Sequence, residues 1–144
     1  MIKIEKVTES DLQSINELLI ANNLPEIDPQ HEPVVYLKAV NAENMIVGAI
    51  GVEIYRNQGL LRSMVVNQEC RNLGIAAKLL DYLLIEAIEL KLESLFLLTT
   101  TADIYFEGKG FKRINRTEID EEVKKSSEFS SICPLSSVAM IKRL

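Results

Sequence analysis

The chain has 144 residues, 47% of them apolar and 26% charged. That balance fits one globular domain with a sizeable core and excludes a disordered or fibrous chain. The formal net charge is −5 and no block of like charge occurs, so the sequence does not read as a nucleic-acid binder, and a polyanionic ligand has to be held by local donors. Cys70 and Cys133 stand far apart, which supplies neither a disulfide framework nor a zinc site; no metal is expected. Met1-Ile2-Lys3-Ile4-Glu5-Lys6 lacks the apolar core of a signal peptide, and no apolar run is long enough to cross a bilayer. The expectation is a cytoplasmic protein without a membrane partner.

In chain order, Met1 to Val7 alternates apolar and charged residues and predicts a half-buried strand. Thr8 to Asp11 offers capping chemistry, after which Leu12, Ile15, Leu18 and Leu19 recur at helical spacing until Asn22-Asn23 and Pro25. The loop from Glu26 to Pro33 carries the sole histidine, His31, too isolated to assign. Three extended segments follow: Val34 to Val40, Met45 to Ile54 and Leu60 to Val66, joined by the turns Asn41 to Asn44 and Arg56 to Gly59. Connections this short predict an antiparallel meander.

A helix is predicted over Gly74 to Leu90, with Ala76, Leu79, Leu80, Leu83, Leu84, Ala87 and Ile88 as its apolar stripe. Ser94 to Thr99 reads as a strand, and Thr101 to about Lys109 as a short helix stopped by Gly110. Phe111 to Ile114 and Val138 to Ile141 read as strands, with a polar helix over Glu118 to Ser126 between them. No repeat or linker divides the chain. The expectation is a single α+β domain over 1–144, a mostly antiparallel sheet with helices on it.

The segment richest in chemistry runs from Leu60 to Leu80. An apolar strand passes through a short loop into Arg71-Asn72-Leu73-Gly74-Ile75-Ala76, where the amphipathic helix begins. A helix start leaves backbone N–H groups without partners and concentrates partial positive charge, so it binds phosphate where side chains leave it open. Gly74, Ala76 and Ala77 leave it open, and Arg71 and Lys78 add mobile positive charge. Small residues at such a turn also serve close packing, and the turn alone leaves both readings standing.

Arg71-x-x-Gly74-x-Ala76, following a strand and opening a helix, resembles the acetyl-CoA motif of the GNAT N-acetyltransferases. Ala102-Asp103-Ile104-Tyr105-Phe106-Glu107-Gly108-Lys109-Gly110-Phe111 resembles that family's second motif, A-x-x-F-Y-E-K-L-G-F. The resemblance extends over nearly the whole chain and implies a GNAT-like mixed, mostly antiparallel sheet of six to seven strands flanked by about four helices. A narrower likeness, to arsenic-resistance N-acetyltransferases, lies in Leu60 to Val66, Leu97 to Ala102, and the tail with Phe129, Cys133-Pro134 and Ser136-Ser137. The acetyltransferase domain of N-acetylglutamate synthases is similar through the middle of the chain. Both relatives imply transfer of acetyl from acetyl-CoA to the α-amino group of a small, acidic, glutamate-shaped acceptor.

The resemblance also implies where acetyl-CoA sits. Backbone groups of Met64, Val65 and Val66 face the acetyl and pantetheine, an N–H near Val65 polarises the thioester oxygen, and the amides of Asn72, Leu73, Gly74, Ile75, Ala76 and Ala77, with Arg71, face the pyrophosphate. Phe106 lies against the cofactor where the family often has a tyrosine that protonates the departing thiolate, and Tyr105, its neighbour on the helix, is expected to point elsewhere. Thr99 stands where the family often has Asn.

An amino acid's amine is protonated at neutral pH and needs a base. Glu53 is the candidate, directly or through water, against the alternative of an exposed strand residue without a role. Arg62 interrupts an apolar run; its planar fork suits an acceptor carboxylate, the alternative being an arginine on the wet face paired with a local acid. Thr99, Thr100 and Thr101 reach ligand oxygens, or Thr100 or Thr101 caps the helix. Cys133 reads as packing. The expected partner is a small-molecule amine acceptor, with a homodimer possible; a peptide or polyamine acetyltransferase and a non-catalytic acetyl-CoA-binding module are the competing functions.

Overall fold

The alternating segments of the sequence pair into one sheet in the computed structural model, which describes residues 1–27, 34–124 and 137–144. His31, Phe129, Cys133, Pro134, Ser136 and the last two residues of the helix expected over Glu118–Ser126 lie outside the described residues. Among those described, the strands are β1 (Lys3–Lys6), β2 (Val34–Val40), β3 (Ile46–Tyr55), β4 (Gln58–Val66), β5 (Ser94–Thr99), β6 (Lys112–Ile114) and β7 (Val138–Arg143). The helices are α1 (Leu12–Ala21), α2 (Ile75–Glu89), α3 (Asp103–Gly108) and α4 (Glu121–Lys124). This is the expected α+β architecture.

The strand order is β1-β2-β3-β4-β5-β7-β6. Each neighbouring pair is antiparallel except β4 with β5, which run parallel. A parallel pair requires a crossover, and α2 provides it. The turn between β3 and β4 is tighter than expected: Tyr55 pairs with Gln58, so only Arg56 and Asn57 make it, and Arg56 takes a φ of 59°, the left-handed conformation that two-residue hairpins favour.

On one face of the sheet α2 and α3 close over the largest core, in which Leu79, Leu80 and Leu83 are fully buried. Burying a leucine of this kind contributes about 2 kcal/mol. The buried stripe of α2 is Ile75, Leu79, Leu80, Leu83 and Ala87. It therefore begins one residue earlier than the periodicity suggested and excludes Ile88, which is 60% exposed: one residue beyond Ala87 is a rotation of about 100°, which turns the side chain off the sheet. On the other face α1 packs Ile15 and Leu19 against Ala49 and Val65, and α4 packs Val123 near Leu60 and Phe96. No helix among the described residues is long and apolar enough to cross a membrane.

Ahead of α1, the Thr8 N–H donates to Asp11 Oδ2 at 2.8 Å, and Lys38 Nζ on β2 donates to the same oxygen at 2.8 Å. The bond from Lys38 is the largest cause, and that from the Thr8 backbone the next, that hold the Asp11 carboxyl below its ordinary value. A depressed folded value means stability that is present above the unfolded value of about 4 and is lost as pH falls through the folded one. Asp11→Asn is therefore expected to lower stability by about 1 kcal/mol at neutral pH. Urea unfolding of both proteins across the acid range checks this: the gap closes as the wild-type carboxyl protonates.

Candidate active site

The site begins with an irregularity in β4. Across the β3–β4 ladder Ala49 pairs with Val65 and Gly51 with Arg62, so Ser63 and Met64 together oppose Ile50. This is a β-bulge, and Ser63 takes a φ of 56° within it. The pairing of β4 with β5 covers Gln58↔Ser94, Gly59↔Leu95 and Leu60↔Phe96 and goes no further. Beyond Leu60 a cleft of about 930 Å³ opens, with Leu61 to Val66 on one wall and Leu97 to Thr101 on the other.

At the far end of β4 the chain turns through a short 3-10 segment, Gln68–Cys70, held by the Asn67 side chain accepting from the Glu69 N–H at 3.1 Å. Asn72 and Gly74 both have positive φ, 67° and 76°. Gly74 is the N-cap of α2, and a Cβ built on it meets no atom within 4 Å. The glycine is thus required by its backbone and not by packing, and the space beside it is open. The first intrahelical bond runs from the Lys78 N–H to the Gly74 carbonyl at 3.1 Å, which leaves the amides of Ile75, Ala76 and Ala77 outside the helical ladder. These three residues line the cleft together with Asn72 and Gly74. A diphosphate suits such an end, and the donor set fits coenzyme A.

Of the residues expected at the cofactor, Met64, Val65, Val66, Arg71, Asn72, Gly74, Ile75, Ala76, Ala77 and Phe106 line this one cleft. Leu73 does not; its side chain is 71% exposed. Arg71 Nη2 donates to Asn22 Oδ1 at 2.7 Å and so ties the loop to the end of α1. Lys78 is not the mobile charge that was expected. Its Nζ donates to the Ile2 carbonyl at 2.7 Å, because the lysine projects from α2 toward the sheet edge and not toward the helix start.

On the opposite wall Thr99 and Thr100 line the cleft. The Thr99 hydroxyl accepts from the Ala102 N–H at 2.9 Å, so the turn into α3 is held by Thr99 and not by Thr100 or Thr101. Tyr105 also lines the cleft, beside Phe106, contrary to the expected helical divergence. Both flank the opening because α3 is a six-residue helix whose first turn sits at the cleft edge. Burial chiefly, and the Asp81 carboxylate second, push the Tyr105 phenol above its usual range.

Glu53 and Arg62 are 2% and 5% exposed. Neither is exposed on a wet face, but the other half of the alternative for Arg62, pairing with a local acid, is found in Glu53. Arg62 Nη1 donates to Glu53 Oε2 at 2.7 Å, and its Nε donates to Ser63 Oγ at 3.1 Å. The Tyr55 hydroxyl donates to Glu53 Oε1. A buried ion pair persists when further hydrogen bonds support it, and here Tyr55 supports Glu53 and Ser63 supports Arg62. Arg62 lines the cleft and Glu53 does not. The sequence reading missed Tyr55 and Ser63; Tyr55 was within reach, since two residues along a strand return a side chain to the same face.

Among the described lining residues Arg62 and Arg71 are the charged ones, and no aspartate, glutamate or histidine joins them. No group of three His, Cys, Asp or Glu side chains able to hold a metal occurs among the described residues.

Comparison with known proteins agrees with this geometry. Residues 33–113 match the family described as Acetyltransferase (GNAT) domain. No curated protein sequence matches the chain. A GNAT-family acetyltransferase from Staphylococcus aureus Mu50 superposes with a TM-score of 0.79 at 22% identity, over 100% of this chain and 99% of that one. N-acetylglutamate synthase from Neisseria gonorrhoeae, in complex with coenzyme A and N-acetyl-glutamate, superposes with a TM-score of 0.85 at 17% identity; it covers 100% of this chain, which spans only 35% of the synthase. The Mycobacterium tuberculosis protein Rv2747, bound to coenzyme A, gives 0.80 at 22% identity over 99% of both chains. A strand that leaves its neighbour at a bulge, a glycine-opened helix beyond it and a family match over more than half of the sequence lead to one conclusion: the chain belongs to the GNAT acetyltransferase family, enzymes that use acetyl-CoA as the acetyl donor.

Proposed function

We propose that the protein transfers the acetyl group of acetyl-CoA to the α-amino group of a small acidic amino acid or a close analogue, by direct attack of the amine. The observation that carries this reading is the buried Arg62 guanidinium in the wall of the cleft. Its planar donors match a carboxylate; one of them is already held by Glu53 behind the wall, and no acidic side chain is among the described residues that line the cleft. A polyamine acceptor favours the opposite arrangement, a groove walled by carboxylates. The fold shared with N-acetylglutamate synthase and the narrower likeness to arsenic-resistance N-acetyltransferases point to the same acceptor shape.

Acetyl-CoA supplies an activated thioester; the chain supplies placement. The amides of Ile75, Ala76 and Ala77 with Asn72 and Gly74 are assigned to the pyrophosphate, the backbone of Met64 to Val66 to the pantetheine arm and the thioester oxygen, and Phe106 to an apolar contact with the arm. Thr99 and Thr100 are assigned to acceptor oxygens. Glu53 was the sequence candidate for the base. With Arg62 and Tyr55 on its two oxygens and no place in the cleft wall, we assign it instead to holding Arg62, and the amine's proton leaves through water. Phe106 provides no proton for the leaving thiolate, which takes one from water; the missing tyrosine gives a non-catalytic acetyl-CoA-binding module its one support.

A thiol-release assay with acetyl-CoA against glutamate, aspartate, glutamate analogues, spermidine and a lysine peptide decides among these. Turnover is expected with the acidic amino acids, and Arg62→Ala should raise the KM for glutamate about tenfold or more while barely altering that for acetyl-CoA. Silence with every acceptor, acetyl-CoA still binding, means the module. Gly74→Val is expected to weaken acetyl-CoA binding at least about tenfold in titration calorimetry with the fold retained by circular dichroism; unchanged affinity removes the phosphate assignment. For Glu53→Gln, a raised acceptor KM with an intact acidic limb of the pH–rate profile is expected, whereas disappearance of that limb returns Glu53 to the role of base.

A further inference from the structure

Ser63 bears a conformational cost uncommon for a strand residue. The other non-glycine residues with positive φ among the described residues, Asn23, Asn44, Arg56, Asn72 and Lys91, all lie in turns and bends between elements. Ser63 alone of this set lies within a strand. Glycine, asparagine or aspartate adopts that backbone more cheaply than serine, and a strained residue persists where its surroundings over-determine it. The backbone of the bulge does not account for the choice of side chain. The hydroxyl does have a partner that accounts for it, the Nε of Arg62 at 3.1 Å.

Arg62 is thereby held through Nε on Ser63 and through Nη1 on Glu53 Oε2 at 2.7 Å. A guanidinium is planar, so two anchors on different nitrogens fix both its position and the plane of its fork. Serine at this place makes the bulge serve twice. Its backbone forms the bulge in the stretch of β4 that no longer pairs with β5, and its side chain sets the angle of the arginine in the same wall.

The geometry points to Ser63 as a positioning residue for the acceptor: its hydroxyl locks the Arg62 guanidinium in the plane that receives the acceptor carboxylate. This inference rests on the reading that Arg62 grips that carboxylate. Ser63 need not touch the acceptor itself.

The experiment compares Ser63→Gly, Ser63→Ala and Arg62→Ala, with L-glutamate as acceptor. Ser63→Gly removes the hydroxyl and relieves the backbone; Ser63→Ala removes the hydroxyl alone. Both should raise the KM for glutamate about tenfold, the loss of one hydrogen bond to a charged group, with acetyl-CoA affinity close to that of the wild type. In nitrogen NMR the Arg62 Nε–H, slowly exchanging in the wild type, should exchange rapidly in both. A Ser63→Gly protein with wild-type KM and unaltered Nε–H exchange overturns the inference, and so does one that loses acetyl-CoA affinity at an unaltered glutamate KM. If Arg62→Ala leaves the glutamate KM unchanged, the acceptor reading falls; the exchange measurement still reports separately whether the Ser63 hydroxyl holds the arginine.

Discussion

The architecture depends on β4 ceasing to pair with β5 after Leu60↔Phe96. Backbone N–H and C=O groups inside a protein require partners, and a strand that leaves its neighbour exposes a row of them. A soluble domain normally covers such a row or blunts it. Here the row forms the wall of a cleft, where its hydrogen-bonding capacity is open to a ligand. The bulge at Ser63 lies in the separated stretch, and the sheet is flanked by α2 and α3 on one face and α1 and α4 on the other.

The same arrangement handles charge. A chain with a net charge of −5 has no long-range field that attracts an anionic cofactor. Cofactor binding as proposed for this cleft therefore relies on local donors, Arg71 and a helix start, and no carboxylate is among the described lining residues. Short-range donors in a recess act in a lower dielectric than those on the surface and are worth more there. Lys78 illustrates how specific the placement is. Four residues past Gly74, it already serves the sheet edge through Ile2, so proximity in sequence to the helix start did not recruit it.

What could be read from the sequence was local. The meander of β2, β3 and β4 follows from alternation and short turns, and the turn at Gly74 from a glycine placed where a strand gives way to an amphipathic helix. Both depend on a handful of adjacent residues. The Glu53–Arg62 contact depends instead on register across a two-residue hairpin and a bulge, and a one-residue slip would send Arg62 to the other face. Nothing in the local pattern reveals a bulge at a serine. Tyr105 escaped for a related reason: helical spacing predicts which way a side chain points relative to its neighbours, but the cleft wraps around the end of α3 and admits two consecutive residues. Thr99 took the bond to Ala102 because the strand ended with its hydroxyl over that amide, which spacing alone does not specify.

The buried pair of Glu53 and Arg62 also bears on how such a protein can diverge. Replacing either residue alone leaves a charge in the interior facing a neutral group, a change that costs about 3–5 kcal/mol in comparable buried pairs. A domain of this size has a net stability of only about 5–15 kcal/mol. A lineage altering this part of its pocket one codon at a time would pass through a folded ancestor that had lost a sizeable share of that margin, so the two positions are expected to have changed together more often than singly. Descendants with new preferences should have arisen through residues elsewhere around the cleft, leaving this dyad as an inherited fixture.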